Sequence, residues 1–233
     1  MSVKLSVILP VYQNEKVETI IKDIHEKIVK QFRSGDVEII VAEDGSKDNT
    51  RKILKSISKK YGLTLNLCDD RRGYIKAVKE IYMQAQGDYV FFTDGDGEHD
   101  PSDFWKLWNK IQKENLDLVI GYKTFRSPFY RVFISKINNS LIGFLFGVWL
   151  RDANCGFRIL KNHVVKDIIP STGDMKIAWN AETPIRAKKK GYKYSQVPVK
   201  HFPIESVVFS KKKLPIDLTK AFIELFKFRV KML

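Results

Sequence analysis

In the stretch VFFTDGDGEHDP, four acids (Asp94, Asp96, Glu98 and Asp100) fall within seven positions, directly after an apolar run. The chain as a whole has a formal net charge of +14, from 41 Lys and Arg against 27 Asp and Glu. Packing gives no reason to gather like charges so closely, so either the loop is solvated or a cation sits in it. Asp94 and Asp96 are two positions apart, and in extended chain both side chains leave the same face. Two carboxylates that close do not both stay ionised unless a positive charge offsets their repulsion. Mg2+ and Mn2+ suit such a pair, because hard ions take one or two carboxylates and fill other positions with substrate phosphates. Glu98 is placed to be a third ligand or to hold a metal-bound water, and Asp100 before Pro101 reads as a helix N-cap. The spacing lacks the downstream glutamate of an EF-hand.

Two more segments place polar groups after apolar runs. They are PVYQNE, Pro10 to Glu15, and EDGSKDNT, Glu43 to Thr50. Asp48 to Thr50 read as a turn and helix cap. Glu43 and Asp44 read either as part of that turn or as acceptors for a nucleobase N–H or a ribose hydroxyl. Tyr12 either stacks on a base or fills the core.

The elements that must position these segments alternate. LSVILP, VEIIVA, LTLNLC, DYVFFT and LDLVIGY read as strands, being short apolar runs rich in β-branched and aromatic residues. Between them lie helical patterns, the first carried by Val17, Ile20, Ile21, Ile24 and Ile28. Ile75 to Ala85 reads as a helix, and another starts at Pro101 and runs through Trp105 and Trp108. Such alternation through about residue 122 predicts a parallel sheet with covering helices. In open sheets of this kind ligands bind beyond the C-terminal ends of the strands. The three polar segments therefore converge. A further helix and strand are predicted around 180–199, and Pro215 opens a helix in the tail.

At 233 residues the chain fits one sizeable domain with a small appendage. Its basic balance fits a polyanionic partner or simply a lysine-rich composition. Scattered lysines without an RNP or helix-turn-helix signature argue against nucleic acid. Two cysteines make no disulfide framework, which fits a reducing compartment. The longest apolar run, Leu141 to Leu150, is half of the roughly 20 residues that span a bilayer. The chain is thus expected to lie on a membrane rather than cross it.

Taken in order, these segments resemble the family 2 glycosyltransferases of the GT-A fold. PVYQNE matches P-x-Y-N-E, VAEDGSKDNT matches V-D-D-G-S-x-D-x-T, and RRGYIKA matches N-x-G-x-x-x-A. GDYVFFTDGDGEHDP matches G-D-x-x-x-x-x-D-A-D-x-x-x-x-P. DANCGFRILKN and KKKGYKYSQVPVKHFP resemble elements of the branch that makes polyprenyl-phosphate sugars, the dolichyl-phosphate mannose synthase-like enzymes. Four departures stand out. Gln13 interrupts Y-N-E, Glu43 replaces Asp, Gly95 replaces Ala, and Ile204 and SVVFS follow where the branch has Arg and G-x-S.

The resemblance implies a GT-A (nucleotide-diphospho-sugar transferase) fold, a mostly parallel twisted sheet flanked by helices; the tail residues themselves add a basic amphipathic C-terminal helix. It implies a glycosyltransferase domain over 1–210, with a nucleotide-sugar half (1–122) and an acceptor half (123–210), and a tail helix over 211–233. It also implies inverting transfer of a hexose from a UDP-glucose- or GDP-mannose-type donor, with Mg2+ or Mn2+ on Asp94, Asp96 and Glu98. Pro10, Tyr12, Asn14 or Glu15, Glu43, Asp44 and Gly95 would surround the donor, and Arg72, Lys76 and Lys123 are candidates to assist the diphosphate. Asp152 is the candidate base if one is needed. Arg131, Arg158 and His201 are candidate contacts for an acceptor phosphate. A polyprenyl or dolichyl phosphate is the expected acceptor, because 123–150 mixes Arg and Lys with Phe and Trp as segments in a headgroup zone do. The protein is then peripheral on the cytoplasmic face of an anionic membrane. The same donor chemistry on a glycolipid, polysaccharide or protein hydroxyl is the alternative, and a basic nucleic-acid-binding module is the alternative of another class.

Overall fold

A computed structural model describes residues 3–124, 129–202 and 214–232. β1 (Leu5–Val11) is followed by α1 (Val17–Lys27), β2 (Val37–Asp44), α2 (Thr50–Tyr61), β3 (Leu63–Cys68), α3 (Tyr74–Gln84) and β4 (Tyr89–Phe92). Next come α4 (Phe104–Lys113), β5 (Leu118–Lys123), α5 (Phe129–Phe146), β6 (Arg158–Lys161), α6 (Asn162–Ile168), α7 (Trp179–Lys189), β7 (Tyr194–Val199) and α8 (Leu214–Met232). The helix-period stripe of the sequence buries as expected, with Val17, Ile21, Ile24 and Ile28 fully covered. α2 ends at Gly62, whose left-handed φ of 62° lets the chain turn straight into β3.

The strands form one sheet in the order β3-β2-β1-β4-β6-β5-β7. β6 alone runs against its neighbours, β4 and β5; the other described pairings are parallel. Leu5, Val7, Ile8 and Leu9 of β1 are fully buried, as in a strand covered on both faces. α3 lies against β1 and β2, and α4 against β5. After β1 the chain works outward through β2 and β3, then returns to place β4 on the other side of β1. The exits of β1, β2 and β4 therefore open on one edge around the point where the strand order reverses, where α/β sheets bind ligands.

β6 is a strand that the sequence reading leaves out, as it does the helices α5 and α6. Its four residues, RILK, sit inside a segment read as a motif, and they separate β5 from β4. Its first residue, Arg158, pairs with Phe92 of β4 and Ile120 of β5, so that side chain belongs to the centre of the sheet. α5 packs against α8, with the Phe146 and Phe228 rings 5.5 Å apart. Ile204 and the SVVFS and SKKK segments lie outside the described residues. So does the side chain of Arg131, which falls on the first turn of α5.

Candidate active site

β1 leaves the sheet through a sharp turn at Gln13, which takes a left-handed φ of 49°. The turn is tied down on both sides. Gln13 N donates to Ser46 Oγ (3.0 Å) and Asn14 N to Thr50 Oγ1 (2.8 Å). Asn14 Nδ2 donates to the carbonyl of Gly95 (2.8 Å), joining this exit to the acidic loop. Glu15 instead accepts from the backbone and side-chain nitrogens of Asn49, at 3.0 and 3.1 Å, just before α2. Gly95 stands where the related pattern has Ala for a local reason: a Cβ there would lie 2.2 Å from the carbonyl oxygen of Pro10.

The two carboxylates at the end of β2 have separate fates. Asp44 accepts from the amides of Arg72 (2.9 Å) and Gly73 (3.1 Å) and lines the cavity. Glu43 points the other way, as alternate residues of a strand must. It is fully buried, accepting from Arg51 Nε (2.6 Å) and the Ser46 amide (2.5 Å). The expectation that Glu43 faces the nucleoside is thus corrected; it braces the turn. Arg72 is corrected likewise, since its guanidinium is held by Glu80 and by the carbonyls of Glu43 and Asn66. Its neighbour Arg71 lines the cavity instead, with the guanidinium 4.1 Å over the ring of Tyr12. Lys76 is exposed on α3, outside that lining.

A cavity of about 640 Å³ joins these exits, running from Tyr12 and Asp44 to Asp94, Gly95 and Asp96. Asp94 Oδ1 accepts from the hydroxyl of Tyr74 (3.1 Å), and Asp96 Oδ1 from the Glu98 amide (3.0 Å). Burial raises the Asp94 carboxyl above its ordinary value, although Tyr74, Lys123 and Arg158 pull it down. Desolvation by the surrounding loop, then the charge of Asp94, pushes Asp96 up to about 6, although its side chain still reaches solvent. Both ionised carboxylates thus want more positive charge than the chain supplies. A hard divalent ion fits that oxygen pair, with donor phosphate and water completing its shell.

Glu98 is not a ready third ligand. Its Oε2 lies 2.8 Å from His201 Nε2 and 3.4 Å from Lys123 Nζ, and the His201 contact leads in holding its carboxyl down at about 2. Among the described residues, no three His, Cys, Asp or Glu side chains converge as a metal cage. Lys123 and His201 thus come to the acidic loop. Asp100 caps the turn after it, accepting from Ser102 N at 3.0 Å, as its position before Pro101 predicts.

The loop before β6 packs against Asp94 from outside the cavity lining. Asp152 is 3 % exposed and Arg158 is 1 % exposed. Arg158 Nη1 donates to the Asn180 carbonyl (2.8 Å) and Nη2 to that of Cys155, so its buried guanidinium is held by the chain's own carbonyls and is not presented to an acceptor phosphate. Gly156 packs on Asp94 so closely that a Cβ would lie 1.9 Å from Oδ2. Sequence reasoning missed Arg71, Tyr74 and Gly156 as site residues, although all three lie inside the quoted segments RRGYIKA and DANCGFRILKN.

The Glycosyl transferase family 2 profile matches residues 6–169, which run from β1 past α6 and include every residue that lines this cavity. The chain belongs to that family. An uncharacterised protein of Methanocaldococcus jannaschii is 32 % identical over 155 residues, which are 61 % of this chain and 68 % of that protein. A dolichyl-phosphate beta-glucosyltransferase of Dictyostelium discoideum is 27 % identical over 218 residues, 85 % of this chain and 66 % of that one. A dodecaprenyl-phosphate galacturonate synthase of Rhizobium johnstonii is 27 % identical over 172 residues, 72 % of this chain and half of its own length. Among solved structures, Mycobacterium tuberculosis glucosyl-3-phosphoglycerate synthase with Mn2+, UDP and its glucosyl product superposes with a TM-score of 0.73 at 18 % identity, covering 96 % of this chain and 79 % of that one. The mannosyltransferase PcManGT of Pyrobaculum calidifontis with GDP-Man and Mn2+ gives 0.72 at 15 % identity, covering 99 % and 65 %. At such identities the likeness speaks for the fold: this is a GT-A architecture.

Proposed function

We propose that the chain moves a hexose from a nucleoside diphosphate sugar to a polyprenyl or dolichyl phosphate, with inversion at the anomeric carbon. The observation that carries the donor half is geometric: Asp94 and Asp96 line the same cavity as Asp44 and Tyr12. Tyr12, Asp44 and Arg71 would take the nucleoside. Asp94 and Asp96 would hold Mg2+ or Mn2+, which when bound neutralises charge on the leaving diphosphate. Lys123 adds a positive charge beside the same loop. An acceptor phosphate oxygen forms the new bond to the anomeric carbon on the face opposite the leaving diphosphate, and the carbon–oxygen bond to that diphosphate breaks.

The acceptor half has two supports. The named relatives from Dictyostelium and Rhizobium carry prenyl-phosphate acceptors in their names. A phosphate acceptor is already an anion and needs positioning more than a base. A hydroxyl acceptor does need a base, and the candidate Asp152 is almost wholly covered.

The reading also places the chain on an anionic membrane surface, on the cytoplasmic face. Phe144 and Trp149 are 79 % and 62 % exposed, with rings 5.2 Å apart in an edge contact. Phe226 and Val230 of the packed α8 are likewise exposed, and Lys136, Lys220 and Lys227 are exposed on the same two helices. Aromatics with flanking cations suit a headgroup zone. Among the described residues no helix is long and apolar enough to cross a membrane.

The test is a donor panel with polyprenyl phosphate and Mn2+, following lipid-linked sugar. One donor is expected to give product; no product from any donor would remove the acceptor assignment.

A further inference from the structure

Tyr74 is placed with unusual care for a residue at a helix start. The residue before it, Gly73, has a φ of 95°, and its amide and that of Arg72 are each held by one oxygen of the Asp44 carboxylate. The root of the Tyr74 side chain is therefore set by β2. Its ring is set by α7, lying 6.1 Å from the Trp179 ring at an interplanar angle of 88°. Trp179 is itself 3 % exposed, so this support does not move freely. Held at both ends, the phenol delivers its hydroxyl to Asp94 Oδ1 at 3.1 Å.

The other oxygen of Asp94 meets the backbone of Gly156. The carboxylate is thus located on both sides, by a donor on one oxygen and a steric wall on the other. A carboxylate at a strand exit otherwise rotates about two side-chain torsions and presents no fixed oxygen to an ion. Lysine or arginine in the place of Tyr74 would orient Asp94 too, but would bring a positive charge that competes with a cation. A neutral hydroxyl donates one hydrogen bond and leaves the negative charge and the remaining lone pairs of both oxygens unspent. Hydrogen-bonding partners behind ligating carboxylates commonly set metal affinity in this way.

We propose that Tyr74 is a positioning residue that fixes the Asp94 carboxylate for a divalent cation, and that residues 72–74 brace the nucleoside-side carboxylate of β2 and the cation-side carboxylate of β4 as one unit. The inference rests on the cation reading of Asp94 and Asp96, and is independent of the acceptor.

The test is Mn2+ binding to the full chain without donor, read from the free-ion electron paramagnetic resonance signal. Tyr74→Phe keeps the ring and its Trp179 contact and removes only the hydroxyl. Expected is Mn2+ binding weaker by about 10- to 100-fold, with the thermal midpoint of the metal-free chain unchanged. Tyr74→Leu, which also removes the ring, is expected to lose Mn2+ affinity and to melt lower. Parent-like affinity in Tyr74→Phe overturns the proposal, as does a loss seen only in Tyr74→Leu, which would mean that ring packing matters and the hydroxyl does not. Tighter binding in Tyr74→Phe also overturns it, because the hydroxyl would then be competing with the ion. A parent chain that binds no Mn2+ overturns the cation reading and this inference together, whereas a Tyr74→Phe chain that matches a Mn2+-binding parent overturns this inference alone.

Discussion

Gly156→Ala puts a single methyl group against the Asp94 carboxylate. The backbone at Gly156 is outside the left-handed region, so alanine can adopt its conformation. The obstacle is the carboxylate: the new Cβ would lie 1.9 Å from Asp94 Oδ2, 2.6 Å from Cγ and 3.0 Å from Oδ1. Ordinary contact starts at 3.4 Å, so one side must give by about 1.5 Å, the difference between 3.4 and 1.9 Å. Behind Gly156 stands β6, hydrogen-bonded to strands on both sides, so the carboxylate is the part that yields. Its retreat breaks the 3.1 Å contact from Tyr74. A misplacement of about 1 Å at a reacting centre costs on the order of 100-fold in rate. Sugar transfer by Gly156→Ala is therefore expected to fall by at least about 100-fold, with a clear loss of Mn2+ affinity and a cooperative melt retained. Turnover, Mn2+ titration and thermal melting on the same preparation decide it. A folded alanine variant with parent turnover and parent Mn2+ affinity would refute the steric reasoning and the role given to Asp94.

Three other outcomes follow from the same geometry. Glu43→Ala removes the buried acceptor of Arg51 Nε and of the Ser46 amide, while Arg51 keeps Asp69 and the Cys68 carbonyl, so the fold should lose about 1–2 kcal/mol; chemical denaturation reads this, and nucleotide affinity per folded molecule should hold. Trp149→Ser with Phe226→Ser should cut cosedimentation with anionic vesicles several-fold while leaving Mn2+ and nucleotide binding intact, because both side chains are exposed away from the cavity lining. With Asp96 pushed up to about 6, a proton competes with the cation below that pH, so Mn2+ affinity should fall by up to about tenfold per pH unit below 6 and level off above it. The same shift means that the folded chain binds this proton more tightly than the unfolded one, so the Asp96 contribution to metal-free stability declines as pH rises from 3.8 through about 6. Mn2+ should accordingly raise the melting temperature more at pH 7 than at pH 5.

Strand ends were the legible part of the sequence. β1 to β5 and the helices between them follow from apolar periodicity, and the helix expected over Ile75 to Ala85 is found over Tyr74–Gln84. β6 was hidden because four residues carry no periodicity, and because an antiparallel insertion has no signature in a βα alternation. In the site, Asp44, Asp94 and Asp96 could be read because they leave strands that the pattern already placed. Glu43 could have been set aside by strand alternation alone, since it and Asp44 must face opposite ways. The choice between Arg71 and Arg72 was not available, because it depends on Asp44 seizing the Arg72 amide 28 positions away. The pairing of Glu98 with His201 was out of reach for the same reason, since the two lie 103 positions apart. Arg158 reads as a phosphate-gripping arginine until its strand is seen to be interior to the sheet.

The most direct measurement is transfer of labelled sugar to a polyprenyl phosphate by the parent chain and by an Asp94→Ala, Asp96→Ala double variant, each with Mn2+ and with EDTA. Lipid-linked product from the parent in Mn2+ alone, and background from the folded double variant in both conditions, is the predicted result. Equal product from the folded double variant, or undiminished product in EDTA, would contradict it.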